Sequence, residues 1–532
     1  MNRLEKTDSL LIIAFFAIIA FPILYAARSL DNNTLTSWQW IFRDRDMLEL
    51  FLLLAAGVAL SFFLSKLKPQ ERYYPVILFA VSFSAVLPLW NEPEVILDAS
   101  RYFVQAKHLE LYGIASFFRE WGRGLGAWTD LPVAPFLYGL IFRYLGESRT
   151  AVQLFTTVLF SLTVVSTYRI GTALWNREAG FLAGLLLLGF PFLLTQVPLM
   201  LVDVPAMFFV TLSMDAFLGA VVKGGRSRIL FTSVAIVLTL FTKYSTWFML
   251  PVLPVVALVA WRGGSRTVLW RGAAILSIAG LLAAAAFLAG HAVFLRQLDL
   301  LRAYQWPGLT RWSEGFASTF LFQIHPMISI LALLGVIAAV RKRNVRFLIP
   351  AWFVVFVLLL QVGRIRYMLP LFPLLALMAA YGLHAWIDDQ RARRFTALCA
   401  ASASLVLVFW AYLPFLSSTT MANLRDAGGY LDSLPGQAVE VRVLPQQESA
   451  GNTETAIPLL DLFTRKRLVH CQDRLRRPDD GRISTSPLRF TWEFNRPAWY
   501  SEEAGDNMLP VVVLSADASP RVIDGTAALK RF

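Results

Sequence analysis

The sequence is poor in charge, histidine and cysteine. Only 16% of its 532 residues are charged, against 57% that are hydrophobic. A soluble chain of this length carries far more charge, so the composition excludes an ordinary cytosolic enzyme and indicates a polytopic membrane protein. Cysteine occurs twice, as Cys399 inside an apolar run and Cys471 in a polar tail. They are not expected to pair, and a cysteine-based metal site is excluded. Five histidines are too few and too scattered for one either. His291, His325 and His384 show no His-x-x-x-His or His-x-Glu spacing.

What is abundant is apolar sequence in long runs. A helical span needs about 20 such residues. Thirteen spans are predicted, at 9–27, 48–65, 74–90, 150–172, 178–196, 203–222, 229–245, 247–261, 272–290, 317–340, 346–362, 367–386 and 396–416. The first is too long for a cleaved signal peptide and is followed by further spans. Net charge is +13, but its placement argues against nucleic acid. Basic residues fall in alternate short loops: Lys66, Lys68 and Arg72; Arg169 and Arg177; Lys223, Arg226 and Arg228; Arg262, Arg266 and Arg271; Arg341, Lys342, Arg343 and Arg346; Arg391, Arg393 and Arg394. By the positive-inside rule the N-terminus is cytoplasmic. The segments 28–47, 91–148, 197–203, 291–316, 363–366 and 417–532 then lie outside.

The chain divides into N-terminal spans (1–90), an outer loop (91–148), a helical membrane core (149–416) and an extracytoplasmic tail (417–532). The outer loop is expected to hold two helices along the interface, Asp98–Tyr112, broken by Gly113, and Pro132–Leu145. Arg119–Gly126 between them is glycine-rich, without the Gly-Lys-Ser/Thr of a phosphate loop. The tail reads as a small α/β domain, with a helix at Ala422–Leu434 and strands at Val439–Leu444 and Val511–Leu514, bounded by Pro435-Gly436 and Pro510.

Ionisable residues at membrane helix ends are costly to keep and are functional candidates for that reason. Asp98 stands just beyond the third span. Asp203 opens a later one in Asp203-Val204-Pro205. Either alone could serve as an N-terminal carboxylate favoured by the helix dipole, but the topology puts both on the outer face. Glu92 and Glu94 are further acids of the same loop. Three cations are expected on that face at tight turns, Lys243, Arg364 and Arg366. They could be snorkelling anchors or could bind an anionic headgroup, which arginine holds with a fork and lysine as a point charge.

The order of these segments resembles a known family. Asp98-Ala99-Ser100-Arg101-Tyr102 is followed by a Pro-rich interfacial helix ending Leu145-Gly146-Glu147. Then come Asp203-Val204-Pro205, Leu238-Thr239-Leu240-Phe241-Thr242-Lys243-Tyr244 and Arg366-Tyr367-Met368-Leu369-Pro370. The set is similar to the GT-C superfamily of polyprenyl-phosphate-sugar-dependent glycosyltransferases, and within it to the protein mannosyltransferase and lipid A aminoarabinose transferase branch. The resemblance covers about 74–386. It implies that Asp98 is the catalytic base and Asp203 the second acid. Arg101 and Tyr102 complete the first motif, and Lys243, Arg366 and Tyr367 lie near the donor phosphate. Two departures stand out. Ala99 follows Asp98 where the family often has glutamate. Asp130-Leu131-Pro132-Val133 stands where it often has Lys-Pro-Pro-Leu.

The implied chemistry needs no cofactor. A carboxylate takes the acceptor proton, and Lys or Arg stabilises the leaving phosphate; a divalent metal is not implied by spacing and is not required if these cations do the work, but it stays an alternative. The partners are a polyprenyl-phosphate sugar, membrane lipids and a lipid, glycan or protein acceptor. The location expected is a bacterial inner membrane. A secondary transporter, which commonly shows inverted repeats and broken mid-membrane helices, and a non-catalytic GT-C-like scaffold are the alternatives.

Overall fold

The computed structural model describes residues 3–92, 94, 97–261, 264–307, 313–361, 363–444, 451–470, 480–486, 488–501, 511–514, 530 and 532. Cys471, Arg262 and Pro510 lie outside the described residues.

Among the described residues, nine helical segments are long and apolar enough to cross a membrane. They are Ser9–Ala26, Met47–Leu64, Glu71–Asn91, Arg149–Leu174, Asp203–Lys223, Tyr244–Trp261, Arg266–Ala289, Ile365–Trp386 and Gln390–Thr419. The other four expected spans are shorter or interrupted. Residues 178–196 form Arg177–Leu187 and Pro191–Gln196, separated before Pro191, whose missing N–H and fixed φ favour a helix start over a helix interior. Arg226–Leu240 ends before Lys243. The segment 317–340 is a π-helical turn, Ser318–Gln323, and then a helix Pro326–Arg341 capped by His325, whose Nδ1 accepts from the Met327 N–H. Leu348–Leu360 is 13 residues long.

Helices begin where capping side chains supply acceptors for free backbone N–H groups. Asp46 accepts from Leu48, Ser148 from Ala151, Asn176 from Ala179 and Asp389 from Ala392. Inside the bundle, small residues let backbones touch. A Cβ on Gly382 would fall on the Leu331 carbonyl oxygen, and one on Gly180 on that of Tyr168. The basic loops gather at one end. Arg177 meets Glu71, Arg393 meets Glu178, and Arg346 and Arg394 donate to the carbonyls of Leu174 and Leu67.

Both outer-loop helices form. The first starts at Asp98 and breaks at Gly113 as expected, where φ +83° and ψ 172° are non-helical values that favour glycine; a second helical piece then runs on to Glu120. The second is Val133–Leu145. In the tail, the helix Ala422–Ser433 and strands β1 (Ala438–Val443) and β3 (Val511–Leu514) form as expected. A further strand, β2 (Arg467–His470), completes a parallel sheet in the order β2-β1-β3. The tail shares a core with the outer loop: Phe103 and Tyr138 of the loop helices belong to one buried cluster with Leu424, Val439, Ile457 and Tyr500. That shared core fixes the tail against the end of the bundle where Asp98 lies.

Candidate functional site

Four chain segments must be positioned for the site to form, and each is held locally. Asp98 opens the first loop helix, and the turn before Asp203 is tied to the same loop. The Met200 N–H donates to both Glu94 carboxylate oxygens at 3.2 and 3.1 Å, and the Tyr138 hydroxyl donates to the Leu201 carbonyl at 2.5 Å. Lys243 sits in a turn closed by Thr246 Oγ1, which donates to the Thr239 carbonyl, and by the Trp247 indole, which donates to Leu240. Arg366 follows a tight turn at Gly363, where a Cβ would overlap the Glu314 carbonyl oxygen.

These segments converge on one guanidinium. Arg366 Nη1 lies 2.9 Å from Asp98 Oδ2, and its Nε lies 3.0 Å from Asp203 Oδ2. Lys243 Nζ takes the other Asp203 oxygen at 2.6 Å. Arg101 Nη2 approaches Asp98 Oδ1 at 3.6 Å and grips Asp130 with two nitrogens, each at 2.9 Å. Asp203 is fully buried. Burial alone would raise the Asp98 carboxyl, but the charges of Arg366 and Arg101 outweigh it and hold the group below the ordinary carboxylate value. Asp130 is the opposite case: burial, helped by the nearby charge of Asp98, raises it despite Arg101.

The remaining expected residues fall around this centre. Tyr367 lies 5.7 Å from both Lys243 and Arg364, measured from ring centroid to cation. Arg364 lines the same cavity and approaches Glu314 at 3.8 Å. Tyr102 is buried, with Arg101 5.7 Å from its ring centre. Of the two further acids, Glu94 is wholly buried and paired with Arg149 at 3.2 Å. It holds the Met200 turn. Glu92 accepts from Ser417.

A cavity of about 560 Å³ opens over the cluster. One side carries Asp98, Arg101, Lys243, Arg364 and Arg366. Another is apolar, with Trp247, Phe248, Leu298, Phe356 and Leu360. Sequence reasoning missed several parts of this site. Asp130 is the counter-ion of Arg101, and its one signal was a lone acid at the position of the family's lysine. Gln297 donates to the Asp130 carbonyl at 2.8 Å and accepts from the Tyr244 hydroxyl at 2.7 Å. Phe490 of the tail lies 4.3 Å from the Arg101 guanidinium, and no local feature of its sequence foretells that contact.

The sequence profile of the dolichyl-phosphate-mannose-protein mannosyltransferase family matches residues 130–290, a stretch that contains Asp130, Asp203 and Lys243. Among solved structures, the chain is similar to ArnT from Cupriavidus metallidurans in the apo state. The TM-score is 0.52 at 13% identity, over 75% of this chain and 86% of that one. The chain has an ArnT-like fold. ArnT from the same organism bound to undecaprenyl phosphate gives a TM-score of 0.50 at 14% identity, with the same coverage of both chains. No curated protein matches the sequence. In this fold Asp98, Lys243 and Arg366 line the cavity, and Asp203 lies buried against Lys243 and Arg366.

Proposed function

We propose that this chain is a membrane glycosyltransferase. It transfers a sugar from a polyprenyl-phosphate donor to an acceptor hydroxyl on the outer face of a bacterial inner membrane, with inversion at the anomeric carbon. The observation that carries the reading is the composition of one cavity. A carboxylate on a loop helix shares it with Arg101, Lys243, Arg364 and Arg366, and an apolar wall of Trp247, Phe248 and Leu360 continues from them. The cations suit a phosphate, the apolar wall suits the first isoprene units, and the carboxylate suits an acceptor proton.

The cations of the cluster are paired with carboxylates, and this suggests an order of events. A donor phosphate entering the cavity competes with Asp98 for Arg366. As Arg366 turns to the phosphate, Asp98 loses part of the positive field that depresses its proton affinity. The base is thereby strengthened once donor is bound. The acceptor oxygen then attacks the anomeric carbon, its proton passes to Asp98, and the bond from that carbon to the phosphate oxygen breaks. Lys243 and Arg366 neutralise the charge developing on the released polyprenyl phosphate. Asp203, fixed between Lys243 and Arg366, positions both.

The test is transfer by the purified protein in nanodiscs, with a panel of polyprenyl-phosphate sugars and candidate acceptors. Release of polyprenyl phosphate with formation of an inverted glycoside is expected. Failure of the protein to bind any polyprenyl phosphate would overturn the reading. For the orientation, a reporter active only outside should be active after Phe532 and silent at Gly225. The reverse pattern would put the cluster on the cytoplasmic face.

A further inference from the structure

The loop between the first two spans, residues 27–46, reaches the cavity from a distant part of the chain. Its base is set in an apolar cluster, where Phe21, Trp38, Phe42 and Leu50 are buried with Phe322 and Tyr412. The loop is also hydrogen-bonded to the segment 313–323. Asp31 is fully buried and accepts from the backbone N–H groups of Asn33 and Trp38, from Ser318 Oγ and from Gln323 Nε2. Asn32 donates to the Ser313 carbonyl at 2.6 Å and accepts from the Gly315 N–H at 3.0 Å. That segment in turn meets the turn that carries Arg364, where Thr319 Oγ1 donates to the Gly363 carbonyl. Two adjacent loop residues complete the path. Thr34 donates its hydroxyl to Glu314 Oε1 at 2.8 Å and its backbone N–H to the same oxygen at 3.4 Å. Arg364 Nε lies 3.8 Å from that oxygen, and both side chains are buried. Leu35 lines the cavity together with Arg364, Phe356 and Leu360.

We propose that the loop between the first two spans belongs to the donor site: Thr34, acting through Glu314, positions Arg364 for the donor phosphate, and Leu35 borders the first isoprene unit. This rests on the glycosyltransferase reading of the cavity. A guanidinium carries five N–H donors in a rigid fork, so a carboxylate facing Nε fixes the plane in which the others lie. Glu314 can do this only if it is itself held. A glutamate side chain has rotamer freedom to lose, and the two hydrogen bonds from Thr34 restrict it. Burial strengthens the dependence. An anion away from water is kept in place by its hydrogen bonds and its counter-ion, so losing the Thr34 hydroxyl loosens the hold of Glu314 on Arg364. Leu35 follows Thr34 in the chain and is placed by the same anchored backbone. A polyprenyl phosphate changes from charged to apolar at the bond to its first isoprene. One loop sets a cation on one side of that junction and an apolar contact on the other.

Binding of undecaprenyl phosphate to the full-length protein in nanodiscs tests this. Thr34→Val keeps the shape of the side chain and removes the hydroxyl. It should weaken binding roughly fivefold, less than the full worth of a hydrogen bond to a charged group, and Thr34→Ser should restore it. Arg364→Gln should weaken binding by more, on the order of tenfold. The double variant separates positioning from packing. Thr34→Val should cost nothing further once Arg364→Gln is present, because its effect passes through that arginine. Leu35→Ala should weaken binding roughly tenfold by removing apolar contact, and by the same factor in either background. Wild-type affinity in Thr34→Val, or an undiminished loss from it in the Arg364→Gln background, would overturn the positioning role. Wild-type affinity in Leu35→Ala would overturn the lipid contact. Wild-type affinity in Arg364→Gln, with Arg366→Ala still weakened, would remove Arg364 and the loop from the donor site and leave the glycosyltransferase reading standing. Absence of undecaprenyl phosphate binding to the wild type would remove that reading itself.

Discussion

Arg366 lies 2.9 Å from Asp98, a contact between the first outer loop and a turn near the far end of the membrane core. The same guanidinium holds Asp203 at 3.0 Å. Two acids that are remote in sequence therefore share one counter-ion, and their protonation and placement depend on where that counter-ion points. With donor absent, each is neutralised within the protein. Under the proposed function, a donor phosphate would be a third claimant on the same charge.

Asp98→Asn keeps the size of the side chain but cannot accept a proton. Transfer should fall by about 10²–10⁴-fold, while donor binding is kept or improved, because Arg366 is released from an ionic partner. Single-turnover transfer and donor affinity, measured on the same preparation, separate the two effects. Activity within a few-fold of wild type would place the base elsewhere, with Asp203 the next carboxylate to test.

Arg366→Ala should weaken donor affinity and slow transfer, since the contact that binds phosphate also stabilises it as a leaving group. It should also lower thermal stability, because Asp203 is fully buried and would keep only Lys243. Arg366→Lys should recover stability better than transfer, because a point charge replaces a fork that reaches two carboxylates. Unchanged donor affinity in Arg366→Ala would reduce the arginine to a structural ion pair.

Transfer should survive chelation of divalent cations. Lys243, Arg364 and Arg366 supply positive charge on the cavity's polar side, and both carboxylates of the cluster already have protein partners. Dialysis against a chelator followed by a transfer assay checks this. Activity lost to the chelator and restored by added magnesium or manganese would require a metal at the donor phosphate.

Much of the fold was legible because helices in lipid are written in composition. The outer-loop helices, the amphipathic tail helix and two strands were also readable from periodicity and their Gly and Pro boundaries. Counting spans was harder. Hydropathy reports how apolar a run is, not whether it stays helical throughout. The break before Pro191 follows from that residue's missing N–H, while the π-helical turn at Ser318–Gln323 is held by distant segments, through Ser318 and Gln323 to Asp31 and Thr319 to the Gly363 carbonyl. The strand Arg467–His470 has burial exposed, buried, buried, buried, without alternation, and Arg467 and His470 flank its two apolar positions, so nothing marked it as a strand. In the site, Asp98, Asp203, Lys243 and Arg366 stood out as lone charges at apolar helix ends. Arg101 was marked by its motif, but its pairing with Asp130 was not, because no spacing pattern brings residues 101 and 130 together. Phe490 reaches the cavity through the docking of the whole tail, which no local pattern encodes.

Gly382 tests a close helix contact inside the bundle, towards the end of its segment away from Arg366. Its Cα faces the Leu331 carbonyl and Gly335, and an added side chain would have to displace backbone. Gly382→Val should destabilise the protein by about 1–3 kcal/mol or more, the range for overpacking a core that can shift only in part. Thermal unfolding in detergent reads this directly. An unchanged midpoint would mean that the two helices pack less closely than described.

The last prediction concerns the joint between loop and tail. Lys107 Nζ lies 3.1 Å from Glu147 and 2.6 Å from Asp461, and the Tyr500 hydroxyl donates to Asp461 at 2.6 Å. Glu110 adds a third carboxyl nearby. One ammonium cannot neutralise three carboxylates, so a proton is retained. Burial, and after it the charge of Asp461, push Glu147 up to about 8. The sign follows from linkage. The folded protein holds a proton that the unfolded chain releases near its ordinary value of 4.5. The stability this contributes is therefore complete below that value and is lost as pH rises towards about 8. The unfolding midpoint should fall across that window. Glu147→Gln, which keeps the size and removes the titration, should flatten the slope and raise the midpoint at the alkaline end. A wild-type slope that survives Glu147→Gln would assign the pH dependence to another group, and the tail would then be held by its shared apolar core with Phe103 and Tyr138 rather than by this proton.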